Sequence, residues 1–399
     1  MPDRAPDSPT PARRPARRGF ALWNLGFRPF YLLAGTFAVI TIAFWVAQFA
    51  GAFGAHTYLA GPAWHAHEMI FGYAFAVITG FLFTAVRNWT GEPTPSGAKL
   101  AAIAGLWLAG RILVVAPWPA LAAIADCAFA VAAATGIAVP LIASRNRRNY
   151  FFIGLLLALG ALNVTFHLAM AQSIELPAGR TLQVGLDLIL FIIAVMGGRV
   201  IPMFTANGVP GTQPRRSLWI ERSALAGVLA LIACDLFGLP SIAVAVVAAA
   251  AAIAHAARLW LWQPWRTSKH PLVWILHASY AWIPIHLALR APAAFAFVPD
   301  SLASHAFTVG AVGGLTIGMM TRTARGHTGR PLQASAMETA AYALVQCAAV
   351  ARVFLPLIAP GLYLAAIVLS GALWVTAFAL FTVMYWPILS RPRFDGRSG

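Results

Sequence analysis

The chain has 399 residues, of which 60% are hydrophobic and only 10% are charged. A soluble domain carries about 25% charged residues, so most of this chain cannot face water, which excludes a soluble enzyme and a disordered chain. The net charge of +16 is compatible with a nucleic-acid ligand. Basic loops beside anionic lipid explain it better, so we expect membrane lipid and no nucleic acid as a partner.

The two ends of the chain differ in composition from its centre. Residues 1–19 are rich in proline and arginine, which predicts a disordered basic arm. Residues 20–390 form one apolar domain, and residues 391–399 form a short basic tail. The three cysteines lie in apolar stretches without a CxxC or CxxCH motif. We therefore expect neither a disulfide framework nor a covalently attached haem.

Twelve apolar stretches within residues 20–390 reach the length of about 20 residues that a membrane-spanning helix needs. They lack the alternation of a barrel strand, which favours an all-α, polytopic membrane protein. The predicted spans are 28–49, 65–87, 98–116, 119–143, 150–172, 181–204, 217–237, 240–262, 271–291, 303–323, 335–358 and 361–388.

The lysines and arginines fall mostly on alternate connections between these spans. With the N-terminus inside, those on the outer side are Arg111, Arg180, Arg290 and Arg352. This bias toward one side supports the number of spans and predicts that both termini lie in the cytoplasm.

Ionisable residues gather near the outer ends of several spans, where they are energetically costly and therefore often functional. Histidine suits haem iron, copper and proton relays. His65 and His67 are two residues apart, which is about 200° around a helix, so either they serve two sites or the helix begins between them. The outer group comprises His65, His67, Glu68, Asp126, His167, Asp187, His286 and His305.

The second and tenth spans resemble each other when His67 is aligned with His305. Both spans run in the same direction, as parallel repeats would. The aligned glycines allow close approach either of a neighbouring helix or of a flat macrocycle, such as a haem held by one imidazole from each span. These glycines are Gly72, Gly80, Gly310 and Gly318.

A second group of polar residues lies at the inner ends of the sixth and tenth spans. Its cations could bind haem propionates or another anion through charge-assisted hydrogen bonds, or they could serve only as cytoplasmic anchors. This group comprises Arg199, Arg322, His327 and Arg330. In the ninth span, His277 and Tyr280 lie one turn apart and could form a proton or ligand pair.

Five segments, in chain order, resemble the motifs of the NnrS family and cover the chain from about Gly26 to Pro331. They read GFRPFYLLAG, WHAHEMIFGYAFAVITGFLFTAVRNWTG, NVTFHLA, GGRVIP and HAFTVGAVGGLTIGMMTRTARGHTGR. The resemblance implies a haem- and copper-containing protein of the bacterial inner membrane that takes part in the nitric-oxide response. It also implies roles for the histidines at the motif positions, which are His65, His67, His167, His277, His305 and His327.

From these features we expect one or two b-type haems near the outer face, with His67 and His305 as axial ligands. His65 and His167 are candidates for copper or for a second haem, and His277 is a candidate metal ligand. Nitric oxide is the expected substrate of an oxidoreductase similar to nitric oxide reductases, with electrons from a donor that the sequence does not identify. The proton donors would be Glu68, Asp126 and Asp187.

Other interpretations remain open. Histidines on the second and tenth of twelve helices also resemble haem–copper oxidases, whose helices form three arcs of four. However, this chain has no histidine in its sixth or seventh span, where those proteins hold copper. A proton- or ion-coupled secondary transporter would also have twelve helices and buried carboxylates. A non-catalytic protein that binds nitric oxide, haem or copper is a further alternative.

Overall fold

The computed structural model describes residues 19–54 and 58–395. Residues 1–18 of the predicted arm and residues 396–399 of the predicted tail lie outside these ranges. About 80% of the chain is helical, and the described residues contain no strand. The predicted all-α membrane class is therefore confirmed.

The described residues form a bundle of twelve long helices, and the bounds of these helices agree with the predicted spans to within a few residues. All except α7 are long and apolar enough to cross a membrane. They are α1 (Phe27–Phe49), α2 (Gly61–Thr90), α3 (Gly97–Val115), α4 (Pro119–Ala143), α5 (Phe151–Met170), α6 (Ala178–Gly208), α7 (Leu218–Phe237), α8 (Ser241–Leu261), α9 (Pro271–Ala293), α10 (Asp300–His327), α11 (Ala336–Ile358) and α12 (Tyr363–Ser390).

Helix α7 carries three charged residues, Glu221, Arg222 and Asp235, and two of them pair with neighbouring helices. Glu221 near its start bonds to Arg258 of α8, and Asp235 near its end contacts Arg290 of α9. Pairing removes much of the penalty for placing these charges among apolar helices. Its 20 residues are still long enough to cross the membrane beside the other eleven helices.

Helices α2 and α10 each contain a π-helical segment, and the two segments begin at the same point of the predicted repeat. In α2 the segment Glu68–Ala74 follows His67, and in α10 the segment Ala306–Gly313 follows His305. A π segment bonds each N–H five residues back, which turns the preceding part of the helix relative to the rest, and such segments are frequent at functional sites. The backbone therefore supports the sequence repeat.

The glycines of the repeat serve helix packing. A Cβ atom at Gly310 would lie 2.2 Å from Cγ of Trp282 on α9, and one at Gly80 would lie 2.8 Å from Cβ of Phe30 on α1. Side chains of neighbouring helices thus fill the space beside these glycines. Of the two roles predicted for them, close approach of helices is the one that the structure supports.

Helices α2, α6 and α10 are the most deeply buried spans. Near their starts they border a cavity that also contacts α1, α11 and α12. About two turns further along they border a second cavity of about 100 Å³, lined by apolar residues such as Val77, Ile193 and Leu315. Helices α2, α6 and α10 thus meet inside the bundle, while an arrangement in three arcs of four helices stays a prediction.

Candidate functional site

The starts of α2 and α10 place His65 and His305 opposite each other. Their ring centroids are 6.2 Å apart and their planes differ by only 9°. Both rings border a cavity of about 130 Å³, whose other walls include Trp45 of α1 and Trp374 of α12. At about 30 Å³ per water, this volume holds about four waters, which is more than a single ion requires.

The two facing imidazoles are held differently. Nδ1 of His305 lies 2.5 Å from the carbonyl oxygen of Ser301, one turn earlier on α10, so this nitrogen donates and leaves Nε2 free to accept. The ring of His65 stacks on Trp45 with centroids 4.8 Å apart. Among the described residues, nothing forms a hydrogen bond with the buried Nδ1 of His65.

His67 lies on the opposite side of α2 and belongs to a separate cluster. The helix begins at Gly61, before both histidines, so of the two predicted alternatives the two-site arrangement is the one observed. Nδ1 of His67 lies 2.9 Å from Oε1 of Glu68, and Nε2 lies 2.8 Å from Oδ1 of Asn163. Asn163 therefore bonds across helices, and not to His167 on its own helix.

Arg111 of α3 joins two buried carboxylates beside His67. It donates to Oε1 of Glu68 at 2.8 Å and also to Oδ1 of Asp126 on α4. Both ring nitrogens of His67 face oxygen acceptors, which suits an imidazolium with a hydrogen on each nitrogen. Two carboxylates, one guanidinium and one imidazolium then sum to zero charge, which is the condition for burying such a group cheaply.

His167 of α5 completes this group. Its Nε2 lies 3.3 Å from Oδ2 of Asp126, and its Nδ1 lies 3.2 Å from the hydroxyl of Tyr58. Burial raises the pKa of Tyr58, so the hydroxyl stays protonated and can donate to His167. The His67 cluster is the name used below for His67, Glu68, Arg111, Asp126, Asn163 and His167.

Three members of the His67 cluster could bind a metal ion. One ligand atom each from His67, Asp126 and His167 lies within 4.8 Å of the others, and among the described residues this is the only such group of three. Two imidazoles and a carboxylate suit copper, zinc and non-haem iron. All three side chains are at most 3% exposed, so any ion there would be shielded from solvent.

The third predicted proton donor, Asp187, lies elsewhere. Its Oδ1 accepts a hydrogen bond of 2.5 Å from Arg290 of α9, which also contacts Asp235 of α7. Glu68 and Asp126 lie in the His67 cluster. None of the three predicted carboxylates borders the cavity between His65 and His305.

The structure also separates the predicted axial pair. His65, and not His67, faces His305, while His67 lies against His167 with ring centroids 5.1 Å apart. The predicted pairing assumed that aligned positions of the repeat face one another. In the structure the two aligned histidines have different neighbours, because α10 approaches the face of α2 that carries His65.

The predicted anion-binding group lies at the other end of the bundle. Along α10, His327 is about 33 Å from His305 at the usual rise per residue. Arg322 packs over the ring of Phe204 at 3.9 Å, and Arg199 donates to Asn149 at 2.8 Å. Together with Arg330, these residues are too far away to hold the propionates of a group bound between His65 and His305.

Two further histidines have local partners. Nε2 of His277 lies 2.7 Å from the hydroxyl of Thr205, whereas Tyr280 bonds to His255 at 2.7 Å, so His277 and Tyr280 do not pair. Nδ1 of His286 lies 2.7 Å from the carbonyl oxygen of Ala303.

Sequence reasoning missed three arginines near the histidines, which were counted only as outer charges. Arg111 and Arg290 each contact two carboxylates, and Arg352 borders the cavity. Their positions were a usable signal, because all three arginines lie inside predicted spans, at the same membrane depth as Asp126 and Asp187. Buried charges of opposite sign at one depth are expected to pair.

Comparison with known proteins adds one finding. The model of a protein family described as NnrS protein matches residues 21–393 of the chain, which includes both histidine sites and nearly all of the bundle. A comparison with curated protein sequences finds no significant match.

Proposed function

The chain belongs to the NnrS family, and we propose that it holds a b-type haem between His65 and His305 and binds nitric oxide there. The observation that carries this proposal is the pair of imidazoles facing each other across a cavity. Membership of the family supports a role in the nitric-oxide response. The proposed location is the bacterial inner membrane, with both termini in the cytoplasm and the cavity near the periplasm.

The ligand set fits haem iron better than a bare ion. Two protein ligands are too few for a zinc site, which takes three or four, but they suffice for iron that has four porphyrin nitrogens. Two metal–nitrogen bonds of about 2 Å, with the radius of each ring added, place two imidazole centroids about 6 Å apart. The observed separation of 6.2 Å agrees with that geometry.

The two histidines would act differently when nitric oxide binds. Bound haem would supply a ferrous iron with affinity for nitric oxide. His305 is anchored through its Nδ1 to Ser301, which makes its Nε2 the stronger donor. Among the described residues, Nδ1 of His65 has no such anchor, so His65 would hold the haem less firmly than His305 and would be the histidine that leaves room for nitric oxide.

Reduction of nitric oxide would also consume protons and electrons. We propose the His67 cluster in its metal-free state as the proton source, because it lies on the other face of the same helix and contains several exchangeable protons. Asp187 and Asp235, which share one arginine, are a second source. The electrons would come from a separate reductant.

Copper is the second proposed metal, and the site that suits it is formed by His67, Asp126 and His167. A monovalent ion that replaces the extra proton of His67 would leave the charge of the cluster unchanged. Metal analysis of protein purified from copper-supplemented cells tests this. We expect copper that is lost in His167→Ala but kept in His286→Ala. Equal copper content in both variants would contradict the assignment.

An absorption spectrum of the purified protein tests the main proposal. We expect a Soret band that shifts on addition of nitric oxide, and that is lost in His65→Ala and His305→Ala. His286→Ala should keep the band, because among the described residues this ring bonds to the backbone carbonyl of Ala303 and does not border the cavity. A colourless protein would favour the secondary transporter instead. A band that needs His67 but not His65 would support the pairing predicted from the sequence.

Turnover separates a catalyst from a non-catalytic binding protein. Consumption of nitric oxide by the purified protein with an artificial reductant, at more than one equivalent per haem, would establish reduction. Uptake that stops at one equivalent would limit the function to binding.

A further inference from the structure

Arg352 of α11 is a buried cation beside the two facing histidines. It borders the same cavity as His65 and His305, and only 6% of its surface is exposed. Its Nη2 donates to the hydroxyl of Tyr363 at 3.3 Å, and its guanidinium lies 5.2 Å from the centre of that ring. Its Nη1 is buried and has no hydrogen-bond partner among the described residues.

The other buried arginines at this end of the bundle have carboxylate partners. Arg111 contacts Glu68 and Asp126, and Arg290 contacts Asp187 and Asp235. In contrast, no carboxylate of the described residues forms an ion pair with Arg352, whose only polar side-chain contact there is neutral. A buried charge without a counter-ion is strongly unfavourable, so this arginine lacks a partner that the functional state should provide.

The walls of the cavity do not provide that partner. The described lining consists of apolar and aromatic residues, two histidines, three hydroxyl residues and Arg352 itself, with no aspartate or glutamate. The negative charge must therefore come from the molecule that occupies the cavity.

We propose that Arg352 binds a carboxylate of the porphyrin that His65 and His305 ligate, so that the cavity selects a metalloporphyrin with free propionates. This inference rests on the proposed function and specifies its ligand. A guanidinium offers two parallel donors to a carboxylate, and such charge-assisted pairs are among the strongest hydrogen bonds in proteins. The role assigns Arg352 to positioning the ligand, in place of the distant Arg322 and Arg330.

Binding of two porphyrins to the haem-free full-length protein tests this inference. Iron protoporphyrin IX carries two carboxylates, and its dimethyl ester carries none. We expect the unmodified protein to bind the free acid more tightly than the ester. Arg352→Met should weaken binding of the free acid by about tenfold or more and leave binding of the ester unchanged. The affinity of Arg352→Lys for the free acid should lie between those of the unmodified protein and Arg352→Met. Lysine keeps the positive charge but lacks the two parallel N–H donors of a guanidinium.

Arg180→Met is the matched control, because Arg180 is exposed near the same end of the bundle and borders neither site. It should bind both porphyrins as the unmodified protein does. If Arg352→Met weakens the binding of both porphyrins equally, Arg352 serves only in packing and the inference is overturned. Unchanged binding of the free acid would overturn it as well. If the unmodified protein binds neither porphyrin, the proposed function itself fails, which the ester measurement distinguishes from failure of Arg352 alone.

Discussion

Buried arginines organise the acidic side chains at the residue scale. Arg111 and Arg290 each bring together two carboxylates from different helices. The sequence predicted the carboxylates and most of the histidines, because ionisable residues stand out in apolar spans. It could not predict which of them meet, since that depends on the rotation of each helix about its axis. The choice between His65 and His67 as the partner of His305 is the clearest case.

Removal of Arg111 should destabilise the protein strongly. Arg111→Met leaves Glu68 and Asp126 buried without a cation, and breaking such a pair costs about 3–5 kcal/mol. We therefore expect a clearly lower thermal unfolding temperature in detergent, whereas the exposed-site variant Arg180→Met should unfold like the unmodified protein.

A compensated variant checks the cause. Combining Arg111→Met with Glu68→Gln and Asp126→Asn removes all three charges, so much of the lost stability should return. An Arg111→Met variant that unfolds at the unmodified temperature would contradict the view that this arginine balances the cluster.

At the scale of the helices, the π segments in α2 and α10 determine where the site histidines lie. The π segments begin directly after His67 in α2 and after His305 in α10, and they change the orientation of the first turns of both helices relative to the rest. Hydropathy predicted where every helix lies, because the apolar runs end where the membrane ends. Hydropathy could not predict the π segments, since a π turn has no characteristic amino-acid composition. The alignment of the two spans nevertheless marked their common starting point.

Tight packing of α10 against α9 gives a test at this scale. A Cβ at Gly310 would overlap Trp282, whose indole Nε1 is fixed by a 2.9 Å hydrogen bond to Gln346. Gly310→Ala should therefore destabilise the protein by about 1–3 kcal/mol.

The matched control is Gly105→Ala on α3, where an added Cβ meets nothing within 4 Å. Alanine has a higher helix propensity than glycine, so this variant should be as stable as the unmodified protein or slightly more stable. Thermal unfolding of both variants provides the comparison. Equal unfolding temperatures would show that α9 can move away from α10 at little cost.

At the scale of the whole molecule, the twelve helices place the histidine sites at one end and the arginine-rich segments at the other. The alternate distribution of lysine and arginine predicts that the histidine end faces the periplasm. Labelling of single cysteines in intact cells tests this orientation. With the three native cysteines replaced, Ser173→Cys should react with a membrane-impermeant maleimide, and Gln213→Cys should not. Both positions are exposed, so the reverse pattern would invert the orientation.

His65 and His305 should hold one metal centre between them. A cryo-electron microscopy map of the protein purified with its native ligands tests this most directly. We expect a flat density in the cavity, bonded through its metal to Nε2 of both histidines, with a carboxylate against Arg352. A map in which the two rings bind no metal, or in which haem is bonded to His67, would contradict it.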